Sequence, residues 1–208
     1  MIKFSWGKGF RAPNIRELYM YPPHNPDLRP ERLYNYEVEL RQTLLGGRLD
    51  MGLALYYIDG SDMIQTARVD GKPLNVNTGS FINKGFEVDA AWRIDRRWQL
   101  AANYAYLHTN NATVLYAPKN KLWGEVSFQP GAWTLAASVN SIWSLETGGP
   151  EKSDYALVNL RGAYTAYKGD VRVQPFLKLD NIGDKHYEVV YGCPMPGISI
   201  LGGVEVSF

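Results

Sequence analysis

The sequence predicts an all-β chain, a transmembrane up-and-down antiparallel β-barrel segment of about ten strands. Three observations lead there. Apolar and polar residues alternate with period two along nearly the whole chain, the charges gather on the face opposite the apolar residues, and the connections between strands are alternately short and long.

In chain order, Ile2 to Lys8 opens as a strand. Next, Tyr34, Tyr36, Val38 and Leu40 oppose Asn35, Glu37, Glu39 and Arg41, giving one apolar and one charged face. Leu49, Met51, Leu53, Leu55 and Tyr57 then oppose Asp50, Gly52, Ala54 and Tyr56. Phe86, Val88, Ala90, Trp92 and Ile94 oppose Glu87, Asp89, Ala91, Arg93 and Asp95. The same reading gives strands at Trp98 to Tyr106, Leu122 to Phe128, Trp133 to Val139, around Val158 to Arg161, at Val171 to Leu179, and at Ile198 to Phe208.

Soluble sandwiches alternate too, so alternation alone leaves a soluble sheet open. Two features favour the bilayer. Trp98, Tyr104, Tyr106, Trp133, Trp143 and Phe208 fall near strand ends, where a membrane barrel carries girdles of amphipathic rings. Tight turns near Gly46-Gly47, 95–97, 130–132 and 168–170 alternate with long links, roughly 11–30, 67–80, 109–120, 145–154 and 187–197. In a meander this puts every tight turn at one end, the asymmetry of outer-membrane barrels, with Phe208 on the periplasmic side.

Composition removes other classes. A net charge of +1 supplies no field to hold nucleic acid, so no nucleic-acid partner is expected. Cys193 is the only cysteine, which excludes an internal disulfide or a multi-cysteine metal cluster. No apolar run reaches the roughly 18 residues of a membrane-spanning helix, and the N-terminus lacks the plan of a secretory signal. Because a membrane barrel must be exported, the expectation is that these 208 residues are a piece of a longer protein.

His24, His108 and His186 lie in or near the long links, with Asp27 and Glu188 close to two of them. Enzymes can build His-acid sites at such a rim. No nucleophile motif or metal-ligand spacing such as H-E-x-x-H accompanies these residues, so neither catalysis nor a metal or cofactor is expected.

An ordered set of short segments adds a resemblance. These are WGKGFRAP (6–13) with Glu17, Leu18 and Tyr19, NPDLRPE (25–31), Asn35 to Glu37, and YYID (56–59) with Asp62 to Ile64. They continue with NTG (77–79) and GFEV (85–88), APKNKL (117–122), DNIGDKHY (180–187), Pro196-Gly197 and the terminal Phe208. Together they resemble the C-terminal barrel of TonB-dependent outer-membrane receptors, in order and spacing, over nearly the whole chain.

The resemblance implies one C-terminal barrel segment over 1–208, the plug domain and roughly the first dozen strands of a 22-strand barrel lying outside these residues. It implies a receptor importing a scarce nutrient such as an iron chelate, haem or cobalamin, with these residues alone not competent for transport. Outer-membrane lipid, the barrel assembly machinery and a small-molecule chelate are the expected partners. The TonB complex would be reached only through the plug. The competing readings are a structural or adhesive outer-membrane barrel and a soluble ligand-binding β-protein.

Within this frame, Arg11, Arg16, Tyr19, Tyr21 and His24 of the first long link are the candidates for substrate contact, since cations and rings suit an anionic chelate. Val204, Val206 and Phe208 resemble the assembly signal. Glu31, Glu37, Glu87, Arg93 and Arg161 are expected on the inner wall, because charge facing lipid costs roughly 2 to 4 kcal/mol near the midplane. Gly7, Gly9, Gly79 and Gly85 are read as bends or bulges, and Pro13, Pro26 and Pro30 as strand stops.

Overall fold

The structure, a computed structural model, describes residues 1–110 and 115–208. In chain order it comprises β1 (Ile2–Arg11), helix α1 (Ile15–Tyr19), β2 (Glu31–Leu44), β3 (Leu49–Val69), β4 (Lys72–Arg93), β5 (Trp98–Thr109) and β6 (Asn120–Phe128). There follow β7 (Trp133–Glu146), β8 (Lys152–Tyr164), β9 (Ala166–Lys168), β10 (Val171–Asp180), β11 (Glu188–Val190), β12 (Cys193–Pro194) and β13 (Ser199–Ser207). Residues 111–114, part of the expected link at 109–120, lie outside the described residues.

The main sheet runs β1-β2-β3-β4-β5-β6-β7-β8-β10-β13, every pair antiparallel, and its neighbours are consecutive in the chain except that β9 lies between β8 and β10 and the separate β11-β12 pair lies between β10 and β13. The short β9 continues β8 beyond Thr165, because Ala163 faces Phe176 and Ala166 faces Val173 in one unbroken register. The ten long strands are therefore those that the alternation predicts. β1 and β13 form the two ends of this path.

Register carries the two faces across the sheet. Leu40, Leu53, Val88 and Tyr104 follow one another on one face, and Glu39, Ala54 and Glu87 on the other. Glu31, Glu37, Glu87, Arg93 and Arg161 all fall on the charged face. There Glu39 pairs with Lys3 at 3.9 Å and with Arg41 at 2.5 Å, Arg41 reaches Asp89 at 3.5 Å, and Arg161 lies 3.6 Å from Glu205.

The apolar face is bounded by two aromatic belts. At the tight-turn end Trp98 stacks on Phe128 at 4.3 Å and Trp133 meets Tyr164 edge-on at 5.0 Å. At the other end Phe86 lies 5.8 Å from Tyr104 and 5.7 Å from Tyr106. From Trp98 to Tyr106 the strand advances eight residues, which at about 3.3 Å each is close to the roughly 25 Å apolar band of a membrane barrel.

Between the belts the sheet is a single layer without an apolar core of its own. Only Leu28, Ile142, Leu145 and Ala163 are buried apolar residues among those described, and Leu55 in mid-strand is 48% exposed. Burial of that face falls to the bilayer.

Two expectations change. The segment 67–80, read as a long link, is a paired extension of β3 and β4, closed by the two-residue turn Asp70-Gly71 with φ of 50° and 80°. That left-handed pair matches a type I′ hairpin, and a D-G dipeptide between alternating residues is its signal. Gly7 and Gly9 are ordinary ladder positions opposite Asn35 and Leu33, not bends. Gly85 instead permits close approach, since a side chain there would collide with the Tyr106 carbonyl.

Candidate functional site

The first long connection is the largest connection built at the long-loop rim, and its sequence folds it locally. Pro13 follows the end of β1, and Asn14 then caps α1. Its side chain accepts from the Glu17 N–H at 2.9 Å, and the Glu17 carboxylate accepts from the Asn14 N–H at 2.8 Å. Asn25 accepts from the Asp27 N–H at 2.9 Å, Leu28 is buried, and β2 starts just after Pro30.

The extended β3–β4 hairpin braces this loop. The Asn75 N–H donates to the Pro23 carbonyl at 2.6 Å, and the Asn25 amide donates to the Asn75 carbonyl at 2.8 Å. Asn77 accepts from the Arg29 N–H at 2.8 Å and donates to the carbonyls of Arg29 at 2.9 Å and Asp62 at 2.6 Å. The Arg29 guanidinium pairs with Asp62 at 2.6 Å.

At the root of the loop Arg11 binds two carboxylates. It donates to Glu31 through Nε at 2.6 Å and Nη2 at 2.9 Å, and to both oxygens of Glu17 through Nη1 at 3.0 Å. Glu31 also accepts from the Ile64 N–H at 2.7 Å. The Arg11 hydrogen bonds hold the Glu31 carboxyl below the usual carboxylate range despite partial burial, and Glu31 in turn raises Arg11 above its ordinary value. This clamp joins β1, α1, β2 and β3.

The five contact candidates therefore divide. Arg11 is engaged at the base. Arg16 and Tyr19 lie on α1, Tyr21 follows it, and His24 closes a turn through its N–H to the Tyr21 carbonyl at 3.0 Å. These four are exposed, Tyr19 at 65% and Tyr21 at 76%. What sequence reasoning missed is the brace: Asn75 and Asn77 sit in an expected link, and only the D-G turn signalled that the link was paired.

The C-terminal loops form a second cluster. Buried Asn181 donates to the carbonyls of Lys185 at 3.0 Å and Pro196 at 3.3 Å and accepts from the Lys185 N–H at 2.9 Å. Asp184 accepts from the Ile198 N–H at 3.0 Å. The DNIGDKHY and Pro196-Gly197 segments are thus two sides of one latch. The loop after β7 joins it, the Tyr191 N–H donating to Thr147 at 2.9 Å.

His24, His108 and His186 are not brought together, and among the described residues no group of three or more His, Cys, Asp or Glu is placed to hold a metal. Cys193 is exposed in β12. Val204 and Val206 pair with Pro175 and Val173 on the apolar face, and Phe208 is fully exposed beyond the last pair.

An antiparallel wall with a bilayer-facing apolar surface, a charged inner surface and braced loops at one rim defines an outer-membrane β-barrel. The family model described as TonB dependent receptor-like, beta-barrel matches residues 1–182, and the chain belongs to that family. The family is one of outer-membrane receptors and transporters of Gram-negative bacteria, not of enzymes.

Solved structures agree in fold. The copper transporter OprC matches with a TM-score of 0.79 at 18% identity, over 100% of this chain and 37% of its own. The siderophore receptor PiuA from Acinetobacter baumannii matches at 0.79 and 16%, over 99% and 34%. FpvA of P. aeruginosa, solved with bound pyoverdine and iron, matches at 0.75 and 18%, over 98% and 30%. The chain thus spans about a third of the length of the receptors it matches.

Proposed function

We propose that this chain is the C-terminal part of the barrel of a TonB-dependent receptor that imports an iron chelate or a related scarce nutrient such as haem or cobalamin. The observation that carries the reading is the braced first loop, which presents Arg16, Tyr19, Tyr21 and His24 on one short, capped segment. Cationic and aromatic groups of this kind bind anionic, ring-bearing chelates through charge-assisted hydrogen bonds and cation–π contacts. By name, similar structures include a siderophore receptor, a ferric preacinetobactin receptor and a ferric enterobactin receptor, which supports the same substrate class.

Arg11 contributes by holding the loop on Glu17 and Glu31. The chain serves as one portion of a larger wall, with TonB coupled through a plug that the barrel encloses. Val204, Val206 and Phe208 act in assembly, read by the machinery that inserts barrels.

A binding titration tests the substrate. The protein in detergent should bind a ferric tris-catecholate, and Arg16→Ala with Tyr19→Ala should weaken that binding roughly tenfold or more, the loss of one charge-assisted contact and one ring contact. Unchanged affinity in the double variant would remove the loop from the site. Failure of the unaltered protein to bind ferric chelates, haem or cobalamin would remove the substrate class.

A further inference from the structure

We propose that the connection between β10 and β13, together with a ring contact between the same two strands, locks the register of the terminal strand β13. Alternation alone leaves that register open. On the bilayer face Ile200, Gly202, Val204 and Val206 stand opposite Leu179, Leu177, Pro175 and Val173. A slip of one residue would exchange the faces and turn Glu205 toward hydrocarbon. A slip of two, about 7 Å along the strand, keeps them: the row from Ile198 to Val204, or from Gly202 to Phe208, is as apolar as the observed one. The choice among these pairings falls to side chains off that face.

The loop supplies the first fixed point. Asn181 and Asp184 take left-handed backbone, with φ of 52° and 46°, which Asn and Asp adopt more readily than most residues. The Asn181 N–H donates to the Asn159 side chain at 2.9 Å and the Ile182 N–H to the Val158 carbonyl at 2.9 Å, so the turn is tied to β8. From there the buried Asn181 amide donates to the Pro196 carbonyl at 3.3 Å, and the Asp184 carboxylate accepts from the Ile198 N–H at 3.0 Å. Because β13 starts at Ser199, these bonds specify the residue at which the last strand begins. Tyr187 packs on Tyr155 at 4.4 Å, and the Tyr191 N–H donates to the Thr147 carbonyl at 2.9 Å, which keeps the rest of the connection from being drawn into the strand.

The inner wall supplies the second. Gly203 faces Phe176, and the ring fills the space above the glycine, where a Cβ would lie 2.6 Å from it. The Arg161 guanidinium of β8 lies over the same ring at 5.7 Å and reaches across β10 to Glu205 at 3.6 Å. A slip of two sets a side chain, Leu201 or Glu205, where the ring now lies, and in the first case also carries Glu205 away from Arg161. Loop and wall thus select the same pairing from opposite ends of the strand.

Disulfide trapping reads the register directly. In a Cys193→Ser background, which removes the exposed native thiol, Val173→Cys is combined with Val206→Cys to report the observed pairing and with Val204→Cys or Phe208→Cys to report the two slips. Facing cysteines lie within disulfide reach, whereas diagonal ones, roughly 7 to 8 Å apart, do not. The folded full chain in detergent should give only the crosslink between positions 173 and 206. Asn181→Ala with Asp184→Ala, or Gly203→Val, should raise a slipped crosslink to about a tenth of the product or more, since each removes contacts worth on the order of tenfold in the pairing equilibrium. The two variants act at different ends of the strand, so Gly203→Val carries the test if the loop variant folds poorly. Leu177→Ala, which weakens the same strand pair from the outer face, should stay in register, and so should Asp184→Asn, which keeps an acceptor for the Ile198 N–H. A single register in both lock variants, slipped crosslinks with the lock unaltered, or equal slippage in Leu177→Ala would overturn the proposal.

Discussion

Arg11 shows how a residue's role depends on partners that are distant in sequence. Its exposure and charge are legible, but its engagement follows from register, which sets Arg11 opposite Glu31, and from the capping box, which brings Glu17 beneath it. Arg11→Gln should free the loop, read as faster trypsin cleavage at Arg16 with the barrel intact. The clamp is also pH-dependent. Glu31 has a depressed pKa in the folded state, so its contribution is fully present above the usual carboxylate range and is lost as pH falls through the depressed value. Loop protection should fall with acidification over that window, and Glu31→Gln should remove the dependence. A protection profile in Glu31→Gln that still follows pH would assign the effect to another group. At Gly85, Ala would press on the Tyr106 carbonyl and should cost about 1–3 kcal/mol, measured by denaturant unfolding.

At the scale of elements, the long β3–β4 hairpin decides the shape of the rim. Its membrane half is legible as alternation, whereas the outer half hides behind Gly, Pro and Asn residues that resemble a loop. The ladder from Met63–Thr78 to Val69–Lys72 forms because Asp70 and Gly71 adopt the left-handed pair that matches strand twist. Gly71→Val should strain this turn by roughly 1–2 kcal/mol. Because the hairpin carries Asn75 and Asn77, it should also loosen the first loop. Asn77→Ala isolates the brace: hydrogen exchange at the Arg29 N–H, which donates to the Asn77 side chain, should quicken while the strands between the belts remain protected. Uniform protection in both variants would show that the loop stands without the hairpin.

For the molecule as a whole, the solvent is the variable that gives the sheet its sense, since neither face is buried against protein. Adjacent residues make the cleanest comparison. Leu53→Lys, near the middle of the apolar band, should cost about 2 to 4 kcal/mol for folding into a bilayer, while Ala54→Lys on the opposite face should cost less than half of that. Similar costs at both positions would contradict the assignment of faces. Deleting Phe208 leaves every β10–β13 pair in place, so it should slow membrane assembly without changing the stability of the assembled protein. By itself the sequence determined the ten strands, their faces and their meander, because period-two patterning and turn residues act locally and antiparallel neighbours follow from short connections. Only the tertiary structure decided which rim residues are free to meet a ligand and which serve as braces. That outcome depends on register between strands and on contacts 20 or more residues apart, and no local pattern encodes such contacts.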